Sequence, residues 1–191
     1  MNSHIYLGID LGKHVDHTAL AAIEAATTTE GRRDPVTANF ITTTRLNIRL
    51  LHRLPLGTPY PTIARIINDV LTSPPFQNRA TAVIDASGPG LPFLDYFRPA
   101  ANLVKVLITS SGKVTWSNGF HHIPRAALLH NLAILVEKRS LSVAPGLADA
   151  PALMKELSAI NTTGKSRAPH DDLAMAAALA AWQAVKRFKP P

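Results

Sequence analysis

The chain has 191 residues, 46% of them hydrophobic, with 20 Lys+Arg against 13 Asp+Glu, a formal charge of +7 and no cysteine. A chain of this length buries about 70% of its unfolded surface without covalent staples, and lacking cysteine it has no disulfide framework, thiolate nucleophile or Cys-ligated metal centre. No apolar run approaches the roughly 20 residues that span a bilayer. The opening MNSHIYLGID has no basic segment followed by a long apolar one, so the chain reads as soluble and unsecreted, and its basic surplus points toward a polyanionic partner.

Residues 4–12 are apolar and β-branched enough for a strand, interrupted by Gly8, Asp10 and Gly12. Residues 18–25 read as a second strand, 27–34 as a turn around Gly31, Arg32, Arg33 and Asp34, and 36–46 as a third strand. The short connections predict an antiparallel meander. Residues 60–71 place Ile63, Ile66, Ile67, Val70 and Leu71 at helical spacing, and Ser73-Pro74-Pro75 ends that helix. A short apolar strand over 81–86, a helix over 91–97 and a strand over 103–108 come next, an alternation that favours parallel continuation of the sheet. Residues 110–122, polar and containing one exposed-looking aromatic, Trp116, read as a flexible loop.

Pro124 suits the first position of a helix running to about residue 139, with Leu128, Leu129, Leu132, Leu135 and Val136 on one side. A short strand over 140–144, a helix over 150–160, a basic loop over 161–170 and a last helix over 171–187 complete the chain. In that last helix Ala174, Ala177, Ala178 and Ala181 read as a surface for close packing on a sheet. No repeat or linker interrupts the sequence, so residues 1–191 are expected to form one α/β domain.

Acidic residues stand where apolar segments end: Asp10 after Tyr6-Leu7-Gly8-Ile9, Asp85 after Ala82-Val83-Ile84, and Asp171-Asp172 opening the last helix. A buried acid is costly unless its charge is compensated, and a divalent metal is one compensator. Singly, each acid also fits a turn or helix-cap role. With the first strand central and the fourth parallel beside it, Asp10 and Asp85 emerge at one edge, and a helix across the sheet can present Asp171 or Asp172 there. Hard oxygen donors without a His/Cys cluster suit Mg²⁺ or Mn²⁺ rather than zinc. Two such ions about 4 Å apart can activate water and stabilise the leaving oxygen of a phosphodiester, so this pattern points to hydrolysis of a nucleic-acid backbone.

Three motifs, GIDLGKHVDHTAL (residues 8–20), AVIDASGPG (82–90) and HDDLAMAAALAAW (170–182), resemble the nuclease domain of tailed-phage terminase large subunits. HIPRAALLHNLAILVEKRSLSVAP and LMKELSAI resemble that family's helix, strand and helix before the last acidic motif. The resemblance implies an α/β ribonuclease H-like mixed sheet, with three antiparallel strands followed by parallel ones and flanked by helices. It implies a two-metal endonuclease using Mg²⁺ or Mn²⁺ on double-stranded DNA during genome packaging, in the cytoplasm of a bacterial host and encoded by a phage or prophage. Asp10, Asp85 and Asp172 or Asp171 take the family's catalytic and metal-ligating places, with Asp172 favoured. Asp16 matches a commonly acidic position that serves the second metal and equally fits a turn. His170 can orient an aspartate or a phosphate, or be an ordinary loop histidine.

The resemblance implies no packaging ATPase within these residues. A separate ATPase, small terminase subunit or portal is the expected partner, with no membrane and no nucleotide, since neither GxxxxGK[ST] nor GxGxxG occurs. The first motif also resembles the opening of resolvase-like transposases. That leaves a nuclease of branched DNA, or an inactive DNA-binding or assembly module, as alternatives.

Residues 35–68 hold Arg45, Arg49, Arg53 and Arg65 and no acid, and residues 96–136 hold Arg98, Lys105, Lys113 and Arg125 and no acid. Such stretches can position phosphates without reading sequence, although a basic face also serves solubility alone. Lys113, Trp116, Arg125, Lys165, Arg167 and His170 are the expected DNA contacts, and by the resemblance residues 110–122 correspond to a mobile hairpin near the active site.

Overall fold

The computed structural model describes residues 2–12, 16–35, 38, 40–98, 102–160 and 170–188. Strands β1 (Asn2–Asp10), β2 (Ala19–Arg33) and β3 (Phe40–Arg53) form the expected meander. Helix α1 (Tyr60–Thr72) follows, and β4 (Ala80–Asp85) then pairs in parallel with β1, placing Ile84 opposite Ile9. A short helix α2 (Gly90–Phe93) leads to β5 (Asn102–Thr109), β6 (Thr115–Ser117) and β7 (Phe120–Pro124). Helix α3 (Arg125–Glu137), strand β8 (Leu141–Val143), and helices α4 (Ala150–Ser158) and α5 (Asp172–Phe188) complete the order. The strands form an eight-stranded mixed sheet in the order β6-β7-β5-β4-β1-β2-β3-β8.

Two cores follow from the alternation along β1 and β4. Ile5, Leu7, Ile9 and Leu11 join Ala82 and Ile84 beneath α1 and α2, where Phe93 and Phe97 are buried. Tyr6 and Val83 belong to the opposite core, under α3, α4 and α5. By the same alternation Gly8 and Asp10 on β1, and Asp85 on β4, face the α5 side. Helix α5 is buried around its whole circumference from Asp172 to Ala181, which its alanines permit because they add little bulk between helix and sheet. The approach is closest at Gly8, where a Cβ would lie 1.9 Å from the carbonyl oxygen of Ala176.

Some local expectations fail for identifiable reasons. Residues 27–33, expected as a turn, continue β2 opposite residues 40–44. The threonines of the two strands face one another across the ladder, with Thr27 Oγ1 and Thr44 Oγ1 3.1 Å apart, and such β-branched pairs stabilise a sheet more than Gly31 weakens it. Residues 110–122, expected as a loop, contain a hairpin in which Ser117 pairs with Phe120 across Asn118-Gly119. Both turn residues have positive φ, +50° and +79°. Asn-Gly is the usual dipeptide of a two-residue hairpin turn and was the signal available in the sequence. The expected helix over 91–97 is helical only to Phe93 and continues in turns, and Val136 is exposed rather than packed with its leucine neighbours.

Candidate active site

Topology brings the chemistry to one end of the sheet. Strands β1, β3, β4 and β7 run in the same direction, so their carboxyl ends deliver Asp10, Arg53, Asp85 and the Pro124-Arg125 junction to a common edge. Helix α5 runs back across the sheet from the same edge, with Asp171 and Asp172 at its start. Ligand sites in open α/β sheets characteristically lie beyond the carboxyl ends of strands.

The carboxylates influence one another strongly. Asp10 is held well above the usual carboxylate range, first by burial and then by the charges of Asp85, Asp172 and Asp171, while Arg125 pulls the other way. Burial also raises Asp85, opposed by hydrogen bonds from Ser87, whose backbone N–H donates to Asp85 Oδ1 at 2.8 Å. Gly90 is required beside it, since a Cβ there would meet the Asp85 carbonyl oxygen at 2.0 Å. The glycines after β4 therefore serve a tight turn.

The two acids at the start of α5 differ. Asp171 accepts a hydrogen bond and ion pair from Arg125. Asp172 is buried, with Oδ2 lacking a hydrogen-bond partner among the described residues and the Arg53 Nε 3.8 Å away. Burial raises its pKa, with Arg53 the leading opposing influence. Arg53 in turn pairs with Glu156 of α4, whose Oε2 accepts the backbone N–H of Ala174 at 2.8 Å.

A cleft of about 200 Å³ is lined by Asp10, Gly12, Asp16, His17, His170, Asp171 and Asp172. Gly12 and Asp16 also border a larger groove of about 480 Å³ running along Thr18, Pro55, Thr58 and Tyr60. Thr18 Oγ1 accepts the Gly12 N–H at 3.2 Å, and His17 donates from Nδ1 to the Leu54 carbonyl at 2.8 Å, tying the two walls together. Among the described residues no three carboxylate or imidazole groups converge closely enough to hold a metal as they stand. The chemistry of the donors nonetheless fits a hard divalent cation: carboxylates raised by burial and, at Asp10, by the charges of its neighbours, one carboxylate oxygen being buried and unpartnered among the described residues.

No protein-family model matches the sequence and no curated protein matches it. Among solved structures, the large terminase nuclease from thermophilic phage G20c aligns over 95% of this chain and 83% of its own, with a TM-score of 0.52 and 18% identity. The two chains share a fold. The mixed, ribonuclease H-like sheet expected from the sequence is thus present, in an arrangement similar to that of a terminase nuclease.

Asp10, Asp16, Asp171, Asp172 and His170 line one cleft, while Asp85 stands on the adjoining strand outside its lining. Asp16 and His170 are exposed, with His170 Nδ1 3.8 Å from Asp16 Oδ1. Lys113 and the largely exposed Trp116 lie beyond β5, which ends at the carboxylate edge. Lys165 and Arg167 lie outside the described residues.

The basic stretches divide. Arg49 pairs with Glu24 and Arg65 with Asp69, while Arg53 and Arg125 turn inward to the acids of α4 and α5. Sequence reasoning counted Arg53 with the flanking cations and passed over Glu156. Its signal was positional, an acid three residues beyond Leu153 on the apolar side of its helix.

Proposed function

We propose that this chain is a divalent-metal-dependent endonuclease acting on double-stranded DNA, with residues 1–191 working as one nuclease domain. The observation that carries the reading is the gathering of Asp10, Asp85, Asp171 and Asp172 at the carboxyl edge of the sheet, where Asp10 is held high first by burial and then by the charges of the other three. Such a concentration of negative charge is destabilising by itself and has an economical purpose in binding cations.

Asp10, Asp85 and Asp172 would hold Mg²⁺ or Mn²⁺, with Asp16 contributing at the cleft's outer wall. When bound, the two ions would supply a nucleophilic water and charge stabilisation for a phosphodiester. Ser87 fixes the Asp85 carboxylate, and Asp171 fixes Arg125, whose charge partly opposes the rise that burial causes in Asp10 and Asp85. Arg125 therefore orients the cluster, its charge committed to the carboxylates rather than to DNA phosphate. The groove from Asp16 to Tyr60 offers a path for flanking nucleotides, and Lys113, Trp116, Lys165, Arg167 and His170 form the outer DNA contacts. In genome packaging, the translocating ATPase, small terminase subunit or portal would be the partner.

The test is cleavage of supercoiled plasmid and linear duplex with Mg²⁺, with Mn²⁺ and with chelator. Metal-dependent nicking that disappears in Asp10→Asn and Asp172→Asn supports the reading. Cleavage that persists in both variants overturns the site, and strong preference for a four-way junction over linear duplex overturns the terminase-type substrate.

A further inference from the structure

We propose that Glu156 is a positioning residue that holds the Arg53 guanidinium away from Asp172 and so keeps one Asp172 oxygen open to a divalent cation. The inference rests on the metal site proposed above and deepens it.

Three charged groups meet behind the cleft. Arg53 sits at the end of β3, its backbone N–H donating to Asp149 Oδ2 at 3.0 Å, so its main chain is anchored to the start of α4. Its terminal nitrogen pairs with Glu156 Oε1. The other Glu156 oxygen accepts the N–H of Ala174, two residues beyond Asp172. Glu156 is 5% exposed, and both of its oxygens are engaged. One buried carboxylate thus ties the guanidinium to the first turn of the helix that carries Asp172.

What the tie leaves undone is informative. Arg53 Nε and Asp172 Oδ2 are both buried and, among the described residues, without hydrogen-bond partners, yet they face one another at 3.8 Å. A hydrogen bond between them needs a closer approach. A charge-assisted bond of that kind is among the stronger polar interactions, so its absence requires a restraint. Glu156 supplies one, because Arg53 cannot move fully onto Asp172 without loosening its contact with Glu156.

In a protein without that restraint, Arg53 closes on Asp172 and competes with the cation for the same oxygen. With it, Arg53 compensates Asp172 from beyond hydrogen-bond distance and leaves a lone pair free. A purely structural role for Glu156, capping α5 and satisfying Arg53, predicts that Mn²⁺ affinity and melting temperature fall together in Glu156→Gln and recover together in the double variant, because removing both partners of a buried pair relieves the unpaired charge. Competition by Arg53 predicts a loss of Mn²⁺ affinity in a single variant that still melts near wild type.

The experiment measures Mn²⁺ binding by calorimetry or electron paramagnetic resonance, with thermal melting as a check on folding. Glu156→Gln keeps the shape and an acceptor for Ala174. It is expected to weaken Mn²⁺ binding about tenfold or more, as partners of metal ligands commonly do. The double variant Glu156→Gln/Arg53→Met, which leaves neither charge buried alone, is expected to return to within about threefold of wild type.

Unchanged binding in folded Glu156→Gln overturns the inference while leaving the metal site standing. So does a double variant as weak as the single one. A Glu156→Gln protein that loses affinity and melting temperature together, or does not fold, overturns it too, since the structural role alone accounts for that result. Wild-type protein that binds no Mn²⁺ overturns the metal site and this inference with it.

Discussion

Gly8 of β1 and Ala176 of α5 touch backbone to backbone. A Cβ on Gly8 would sit 1.9 Å from the Ala176 carbonyl oxygen and 3.0 Å from the Ala180 nitrogen. Gly8 lies two residues before Asp10 on the same face of its strand, and Ala176 lies about one helical turn beyond Asp172. This one crossing therefore sets the distance between the first and last acidic positions of the site.

Gly8→Ala should be severely destabilising, because the atoms it meets are backbone and cannot rotate away. A cost of about 3 kcal/mol, the upper part of the overpacking range, corresponds to a fall in Tm of roughly 6–12 °C for a chain of this size. Gly31→Ala provides the contrast, since nothing lies within 4 Å of its Cβ position, and its melting temperature should stay near that of wild type. Equal losses in thermal melts of the two variants would remove the crossing's special role.

The legibility of this site in the sequence followed from periodicity and ran out where contacts are long-range. The assumed parallel pairing of the first and fourth strands placed Asp10 and Asp85 at one edge, and the alanine pattern anticipated the tight packing of α5. The Arg53, Glu156 and Ala174 cluster was not legible, because it joins residues 103 and 18 positions apart through tertiary folding alone. Nor was the inward turn of Arg125, since an arginine in an acid-free stretch carries no sign that its partner is 46 residues away.

Asp171 and Asp172 differ in their tertiary contacts, which the sequence does not show. Asp171 is occupied by Arg125, whereas Asp172 has a buried oxygen without a partner. Asp172→Asn should lower kcat for DNA cleavage by about a thousandfold, the effect of losing several kcal/mol of metal-centred stabilisation. Asp171→Asn should cost about ten- to a hundredfold, as expected for a group that acts through a neighbour. Steady-state cleavage under saturating Mn²⁺ measures both, and the reverse ranking would exchange their roles.

The raised pKa of Asp10 makes a stability prediction. The folded value lies above the unfolded one of about 3.9, so the folded state holds the extra proton. The stabilising effect of that proton is fully present below the unfolded pKa and is lost as pH rises through the folded pKa, where folding must maintain an unfavourable charge. Asp85, Asp172 and Glu156 shift in the same direction. In chelator, Asp10→Asn should therefore melt higher than wild type at pH 7.5, by roughly 2–4 °C for each kcal/mol relieved, and the two should converge near pH 4. Saturating Mn²⁺ should reverse the order at neutral pH, because it stabilises the protein that binds it. A difference between the variants that does not change with pH would show that Asp10 carries no such strain.

The division of the basic residues into inward and outward groups predicts how each will respond to salt. Each cation that neutralises a DNA phosphate contributes about 0.9 to the slope of log affinity against log salt. Lys113, exposed beyond the end of β5, should contribute to that slope, so Lys113→Ala should flatten it by about one unit between roughly 50 and 200 mM salt. Trp116→Ala should weaken binding without changing the slope, because the indole releases no counterions. Arg125→Ala should leave the slope nearly unchanged and still impair cleavage, its charge being committed to Asp171 and the neighbouring carboxylates. Fluorescence anisotropy on a duplex in Ca²⁺ separates binding from cleavage. If Arg125→Ala flattens the slope and Lys113→Ala does not, DNA approaches across the carboxylate edge itself and the hairpin has no part in holding it.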